Sequence, residues 1–153
     1  MTANLAIFVI RSLISLLVGG AHLYFVILCF AYISSINPLP EWLSASANWR
    51  DSALLIMSVA DLVLHLLLAL PAAAALLYLQ GEQRHYHLGL IVLPIFVLGL
   101  HSLWRLVELR DELSLTYLSY INTLIPSFAI AIVGLLAIKH FSHIKAHTAS
   151  TPQ

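Results

Sequence analysis

Four long apolar stretches dominate the chain and determine the fold class that its sequence predicts. They cover residues 5–33, 53–79, 88–107 and 115–138. Each holds about 20 or more mostly apolar residues, the length that a helix needs to cross the hydrocarbon core of a membrane. No segment alternates apolar and polar residues between turn signals at about ten-residue spacing, so a transmembrane β-barrel is not expected. The pattern predicts an all-α integral membrane protein built as a four-transmembrane-helix bundle.

The composition agrees with this class of protein. Of the 153 residues, 61% are hydrophobic and 9% are charged, and the formal net charge is zero. No basic surface for nucleic acid is therefore expected. The single cysteine, Cys29, has no partner for a disulfide within the chain. We expect one transmembrane domain over residues 1–147 and a short polar tail over residues 148–153.

Lysine and arginine residues are divided unevenly between the two ends of the predicted bundle. The end with both chain termini carries Arg11, Arg84, Lys139 and Lys145. The opposite end carries Arg50, Arg105 and Arg110. The positive-inside rule therefore predicts that both termini are cytoplasmic.

The segment between the first two apolar stretches has the features of a short interfacial helix. It begins near Pro38 and Pro40, and Trp42 and Trp49 lie seven residues apart, on one face if the segment is helical. Indole rings favour the headgroup layer of a membrane. A short helix lying in the outer headgroup layer is therefore expected there.

Polar and ionisable residues interrupt every apolar stretch, and they form the candidate functional site. The first stretch contains His22, the second Asp61 and His65, and the fourth Asn122 and Thr123; the third contains His101 and Arg105, and Glu108 directly follows it. With a rise of about 1.5 Å per residue, these residues fall near the middle of the membrane or in its outer half. Because the polar faces of membrane helices turn away from lipid, we expect one polar cluster inside the bundle. One arrangement pairs Arg105 with Asp61 across two helices.

Other histidines and three prolines lie in or beside the same stretches. His85 and His87 precede the third stretch, and we expect them at the cytoplasmic interface beside the headgroups, with no HExxH pattern to indicate a metal site. Pro71, Pro94 and Pro126 lack a backbone N–H, so each is expected to free a carbonyl one turn earlier and to kink its helix.

One residue and three short segments within the apolar stretches carry a pattern that resembles a known family. The residue is Arg11, and the segments are SVADL at residues 58–62, HSLWRL at 101–106 and YINTLIPSF at 120–128. In these segments the chain resembles the uncharacterised YqhA-like family of small four-span bacterial inner-membrane proteins. The resemblance implies a bacterial inner-membrane location and draws attention to Asp61, His101 and Arg105, but it implies no particular activity. His22 and His65 have no counterpart in that pattern, and the loop between the second and third stretches is shorter here.

The predicted polar cluster supports three functional hypotheses. The first is permeation of protons or ions, or small-molecule transport, by a homo-oligomer, because Asp, His and Arg are used in intramembrane relays. The second is an accessory or structural subunit of a larger membrane complex, in which the polar residues join helices. The third is a redox subunit that binds b-type haem or a quinone. For haem, two of His22, His65 and His101 would be ligands and Arg105 would meet a propionate.

An enzyme is the class that the sequence supports least. It contains no serine or cysteine nucleophile placed beside a base, no zinc-type ligand spacing and no phosphate-binding loop. We therefore predict no catalytic residue and no metal site.

Overall fold

The chain folds into helices in every part that the computed structural model describes, namely residues 2–45, 52–78, 83–110 and 117–149. The helices are α1 Thr2–Ile36, α2 Leu39–Ala45, α3 Ala53–Leu68, α4 Leu70–Tyr78, α5 Arg84–Glu108, α6 Tyr117–Asn122 and α7 Ile125–Ala149. Four helical segments are long and apolar enough to cross a membrane, and they are Asn4–Ile36, Ala53–Tyr78, Arg84–Glu108 and Ile125–Ser142. The prediction of an all-α four-helix membrane bundle is confirmed.

The second span is broken close to its middle, as its proline predicts. Helix α3 ends at Leu68 and α4 begins at Leu70, with Ala69 between them. The N–H of Ala69 donates to the carbonyl of His65 at 3.0 Å, which completes α3. Pro71 has no N–H to offer to the carbonyl one turn earlier, so the helix cannot continue unchanged through this point.

The fourth span, expected over 115–138, is also broken, as its proline predicts. The break falls between α6 and α7, where the N–H of Leu124 donates to the carbonyl of Ile121 at 3.0 Å in a tight turn. Pro126 follows in the first turn of α7, a position that proline tolerates. Helix α7 continues to Ala149, well past the expected end at residue 138. In contrast, α5 runs through Pro94 without interruption.

The spans α1 and α5 lie side by side and run in the same direction. Ser15 bonds to His87, and one turn further on Gly19 faces Ile91. A Cβ at Gly19 would collide with the carbonyl oxygen of Ile91, so the two backbones are in direct contact there. Glycine at this position permits the close approach that packs membrane helices.

Helix α7 lies against α5 in the opposite direction. Leu88 near the start of α5 fills the space beside Gly134, and Gly99 near its end lies close to the carbonyl of Thr123. Helices α3 and α4 pack on α7, and α4 also reaches α1. We call the half of the bundle that contains the start of α1 and the start of α5 the terminal half, and the other half the distal half.

The apolar core is concentrated in the terminal half. Its buried members are Val26, Ala69, Ala72, Leu76, Leu88, Ile91, Ile95, Ile130 and Ile138. Most large apolar side chains on the outer faces of the spans are exposed, as expected for helices whose surroundings are lipid. Most of these buried side chains pack against one another in the terminal half.

A short helix lies between the first two spans, as expected. It is α2, which packs against α3 and buries the side chain of Leu43. Trp42 is exposed on the same helix, where an indole could meet headgroups. Trp49 lies outside the described residues.

The contact between Gly19 and Ile91 leads to the first prediction. Gly19→Ala should destabilise the protein by about 1–3 kcal/mol, because the added methyl group forces the backbones of α1 and α5 apart. Gly20→Ala is the matched control, since a Cβ at Gly20 meets nothing within 4 Å. The measurement is the thermal unfolding midpoint of each variant in mild detergent. Equal midpoints for the two variants would contradict the contact.

Candidate binding cavity

The structure divides the eight residues of the predicted polar cluster into two groups. His22 and His65 are buried, and Asp61, Asn122 and Thr123 are partly buried inside the bundle. The remaining three residues, His101, Arg105 and Glu108, are exposed on the outer face of α5. Predicted polar residues therefore lie inside the bundle on the first, second and fourth spans. The third span, α5, places none of its predicted polar residues there.

The exposed group forms its own contacts at the distal end of α5. Arg105 Nη1 donates to Glu108 Oε2 at 3.1 Å, and Trp104 Nε1 donates to Glu108 Oε1 at 2.7 Å. The expected pairing of Arg105 with Asp61 is wrong, because Arg105 points away from the interior and binds Glu108 on its own helix. An exposed pair of this kind contributes little to stability.

A cavity of about 560 Å³ occupies the distal half. Side chains from α1, α3, α5 and the break between α6 and α7 line it, so all four spans contribute. Its walls are mostly apolar, and its polar lining residues are Asp61, His65, Ser102, Asn122 and Thr123. Three further lining residues, Ile27, Ala31 and Leu98, are exposed, so the cavity is open to the surroundings of the bundle.

His65 is fixed in one orientation at the wall of this cavity. Its Nδ1 lies 2.7 Å from the carbonyl oxygen of Asp61. A carbonyl oxygen only accepts hydrogen bonds, so Nδ1 carries the proton and donates. The ring of Phe30 lies against the imidazole, with 5.2 Å between ring centroids. In the neutral ring, Nε2 is then the remaining polar atom and acts as an acceptor.

Asn122 joins the end of α6 to α3. Its Nδ2 donates to Ser58 Oγ at 2.9 Å, and Ser58 Oγ donates in turn to the carbonyl of Leu54 at 2.8 Å. Asn122 Oδ1 is buried without a hydrogen-bond partner. Thr123 Oγ1 donates to the carbonyl of Tyr120 at 2.8 Å. At this end of the cavity, the hydroxyl of Thr123 and an N–H of Asn122 thus donate within the protein, whereas Asn122 Oδ1 has no partner.

His22 belongs to a different and smaller cavity. This second cavity measures about 240 Å³ and lies between α1 and α4, where Pro71 and Ala72 also line it. It adjoins the break in the second span. His22 and His65 therefore line separate cavities, although both lie close to the middle of the bundle.

His87 is a buried polar residue that the sequence analysis placed at the interface. It is buried against α1, with Nδ1 2.8 Å from Ser15 Oγ. Ser15 Oγ also donates to the carbonyl of Arg11 at 3.0 Å, and both bonds form together when His87 Nδ1 carries the proton. The spacing offered a signal, because His87, Ile91, Ile95 and Gly99 follow at steps of four and share the buried face of α5. His85, two residues earlier in the first turn of α5, is exposed as expected.

The histidines do not fit the predicted haem site. His101 is exposed, and His22 and His65 line separate cavities, so no two of the three face each other across one space. Arg105 is bound to Glu108 and is not placed to meet a propionate. Within the described ranges, no group of three or more His, Cys, Asp or Glu side chains could hold a metal ion.

The fold and the cavity define a multi-pass membrane protein with an interior, mostly apolar cavity that holds a few polar groups. No protein-family model, curated protein or solved structure matches the chain.

The bond between Ser15 and His87 leads to the second prediction. In a double-mutant cycle with Ser15→Ala and His87→Phe, the coupling free energy should be about 0.6 kcal/mol and at most about 1.7 kcal/mol, the range of membrane hydrogen bonds between helices. His85→Phe is the control, and it should leave the unfolding free energy unchanged because His85 is exposed. The free energies come from reversible unfolding in mixed micelles. A coupling of zero would show that the two side chains do not stabilise the pairing of α1 with α5.

Proposed function

We propose that the protein is a small-molecule transport protein that binds an amphipathic substrate in the distal cavity. The observation that supports this proposal is the cavity itself. Its volume of about 560 Å³ lies within the range of small-molecule sites, about 300–1,000 Å³. Apolar walls with a few convergent polar groups are the usual form of such a site.

The lining favours a substrate with an apolar body and one polar head. Leu23, Val26 and Ile95 supply an apolar wall, whereas Asp61 and Asn122 supply polar atoms. Because the cavity is open to the surroundings of the spans, a molecule dissolved in the membrane could enter it directly. Under the predicted topology the distal half is the outer half, so entry would be from the outer side.

The broken helices favour transport over simple retention. Membrane transporters build their substrate sites around discontinuous helices, where the freed backbone groups line a cavity. Here the break before Pro126 borders the distal cavity, and the break at Ala69 lies close to the smaller cavity of His22. The two cavities follow one another along the bundle. An open distal half above a terminal half with a packed apolar core fits a carrier that faces one side.

Proton permeation is a second candidate, and the burial of His87 favours it. Ionisable side chains inside membrane proteins are typical of proton relays. His87 lies in the terminal half, His22 and His65 near the middle, and Asp61 in the distal half, so buried or partly buried titratable groups follow one another through the bundle. Arg11, which also lies in the terminal half, is exposed.

Assembly and location extend the same proposal. We expect the chain to act as a homo-oligomer or within a larger membrane complex, in the bacterial inner membrane with cytoplasmic termini. The exposed side chains of His101, Arg105 and Glu108 offer polar contacts to a neighbouring chain. Within a larger complex, these contacts would join helices of different chains, as expected of an accessory or structural subunit.

Filling the cavity tests the proposed binding, and this is the third prediction. Ala31→Trp should abolish saturable binding of a small uncharged amphiphile such as phenylbutanol, because the indole occupies the open side of the cavity. Binding is measured by calorimetry on the protein in nanodiscs, with empty nanodiscs subtracted.

Ala60→Trp is the matched control for this experiment. Ala60 is also exposed on a span but does not line the cavity, so its variant should bind as the unmodified protein does. Saturable binding that survives in Ala31→Trp would place the site elsewhere. An absence of saturable binding in the unmodified protein would remove the proposal.

Proton flux tests the second candidate, and this is the fourth prediction. Proteoliposomes loaded with a pH-sensitive dye should acidify under an imposed potential faster than protein-free vesicles. Asp61→Asn should reduce the rate to the leak of protein-free vesicles, while Glu108→Gln should not change it, because Glu108 lies outside the bundle interior. A rate equal to that of empty vesicles for the unmodified protein would exclude proton permeation.

A further inference from the structure

The distal cavity differs from a general amphiphile site, because an acidic residue lines it and an aromatic ring lies beside its polar end. We propose that the cavity binds a lipophilic cation, that is, a molecule with an apolar body and a protonated amine. This inference rests on the proposed small-molecule binding and names its substrate class.

Three side chains at the cavity already donate hydrogen bonds within the protein. Asn122 Nδ2 donates to Ser58, Thr123 Oγ1 donates to the carbonyl of Tyr120, and His65 Nδ1 donates to the carbonyl of Asp61. In each of these bonds the donor is paired with a protein atom and is not offered to a bound molecule. A bound molecule that carried only hydrogen-bond acceptors would therefore lose these three groups as partners.

Acceptors remain available at the cavity. Asp61, a lining residue, carries carboxylate oxygens, which only accept hydrogen bonds when ionised. In the neutral ring of His65, with the proton on Nδ1, Nε2 is an acceptor. A head group with several N–H donors matches this set.

The charge of the lining has one sign. Asp61 is its acidic residue, and none of the described residues that line the cavity is lysine or arginine. Arg105, the cation nearest in sequence to the lining residue Ser102, is exposed and bound to Glu108. A carboxylate favours an ammonium group over a neutral or anionic one, because hydrogen bonds between charged partners are about twice as strong.

An aromatic ring completes the site. Phe30 lines the cavity and lies against His65, so one ring is held beside the polar end. The face of an aromatic ring attracts a cation, most strongly where water is excluded. The remaining walls, such as Leu23, Val26 and Ile95, suit an apolar body.

The test compares three probes that share one apolar body and differ in the head group. Phenylbutylammonium, phenylbutanol and phenylbutyrate are titrated at neutral pH into the protein in phosphatidylcholine nanodiscs, whose headgroups carry no net charge, with empty nanodiscs subtracted. The ammonium probe should bind about tenfold more tightly than the alcohol, and the carboxylate more weakly than both.

Variants connect this preference to the proposed residues. Asp61→Asn should weaken binding of the ammonium probe about tenfold relative to binding of the alcohol, while Glu108→Gln should change neither. Phe30→Leu should weaken the ammonium probe about two- to thirtyfold relative to the alcohol. If Asp61→Asn does not elute as a monodisperse protein, Phe30→Leu carries the test, because a loss of fold would affect both probes equally.

The possible outcomes separate this inference from the proposed function. If the alcohol binds as tightly as the ammonium probe and Ala31→Trp abolishes both, the binding site stands and its preference for a cation is wrong. Tighter binding of phenylbutyrate also overturns the inference. If no probe binds in a saturable way, both the inference and the proposed function fail.

Discussion

The direct contact between the backbones of α1 and α5 is the constraint on which the rest of the structure depends. Lipid gives no hydrophobic force that brings membrane helices together, so close packing must do so. Gly19 lets α1 touch the carbonyl of Ile91, and Gly134 makes room for Leu88 between α5 and α7. Both contacts lie in the terminal half, where they close the bundle. In the distal half, beyond the two helix breaks, side chains such as those of Phe30 and His65 provide the contacts and the distal cavity opens between the spans.

The number of spans and the depth of their polar residues could be predicted from sequence, because both depend on length and hydropathy alone. The face of α5 that turns inward could not be predicted, because apolar side chains lie on every face of that helix. His101 and the buried Gly99 are two residues apart, which is about 200° around a helix. They therefore lie at nearly the same depth but on opposite faces. Conversely, His87 lies near the end of a span, where depth favours an interfacial position, and only its alignment with Ile91 and Ile95 indicated burial.

The hydrogen bonds that organise the cavity also determine what it can bind. Asn122 must reach Ser58 to join α6 to α3, and this leaves Oδ1 buried without a partner. His65 must donate to Asp61 on its own helix, and this leaves the other ring nitrogen as an acceptor. The unmet acceptors of Asn122 and His65 thus arise from the hydrogen bonds that fix these two side chains. Of the two, His65 lines the cavity with a ring nitrogen that a hydrogen-bond donor would suit.

The most direct test of this account compares two isoleucines on the same helix. Ile95 lines the distal cavity, Ile91 lies one turn away in the contact with Gly19, and both side chains are buried. The measurement is the broadening of their methyl NMR signals by a small nitroxide dissolved in the surrounding lipid or detergent. An open distal half above a closed terminal half predicts strong broadening of the Ile95 signal and little for Ile91. Equal protection of both methyl groups would show that the cavity is closed to the membrane and would contradict the account.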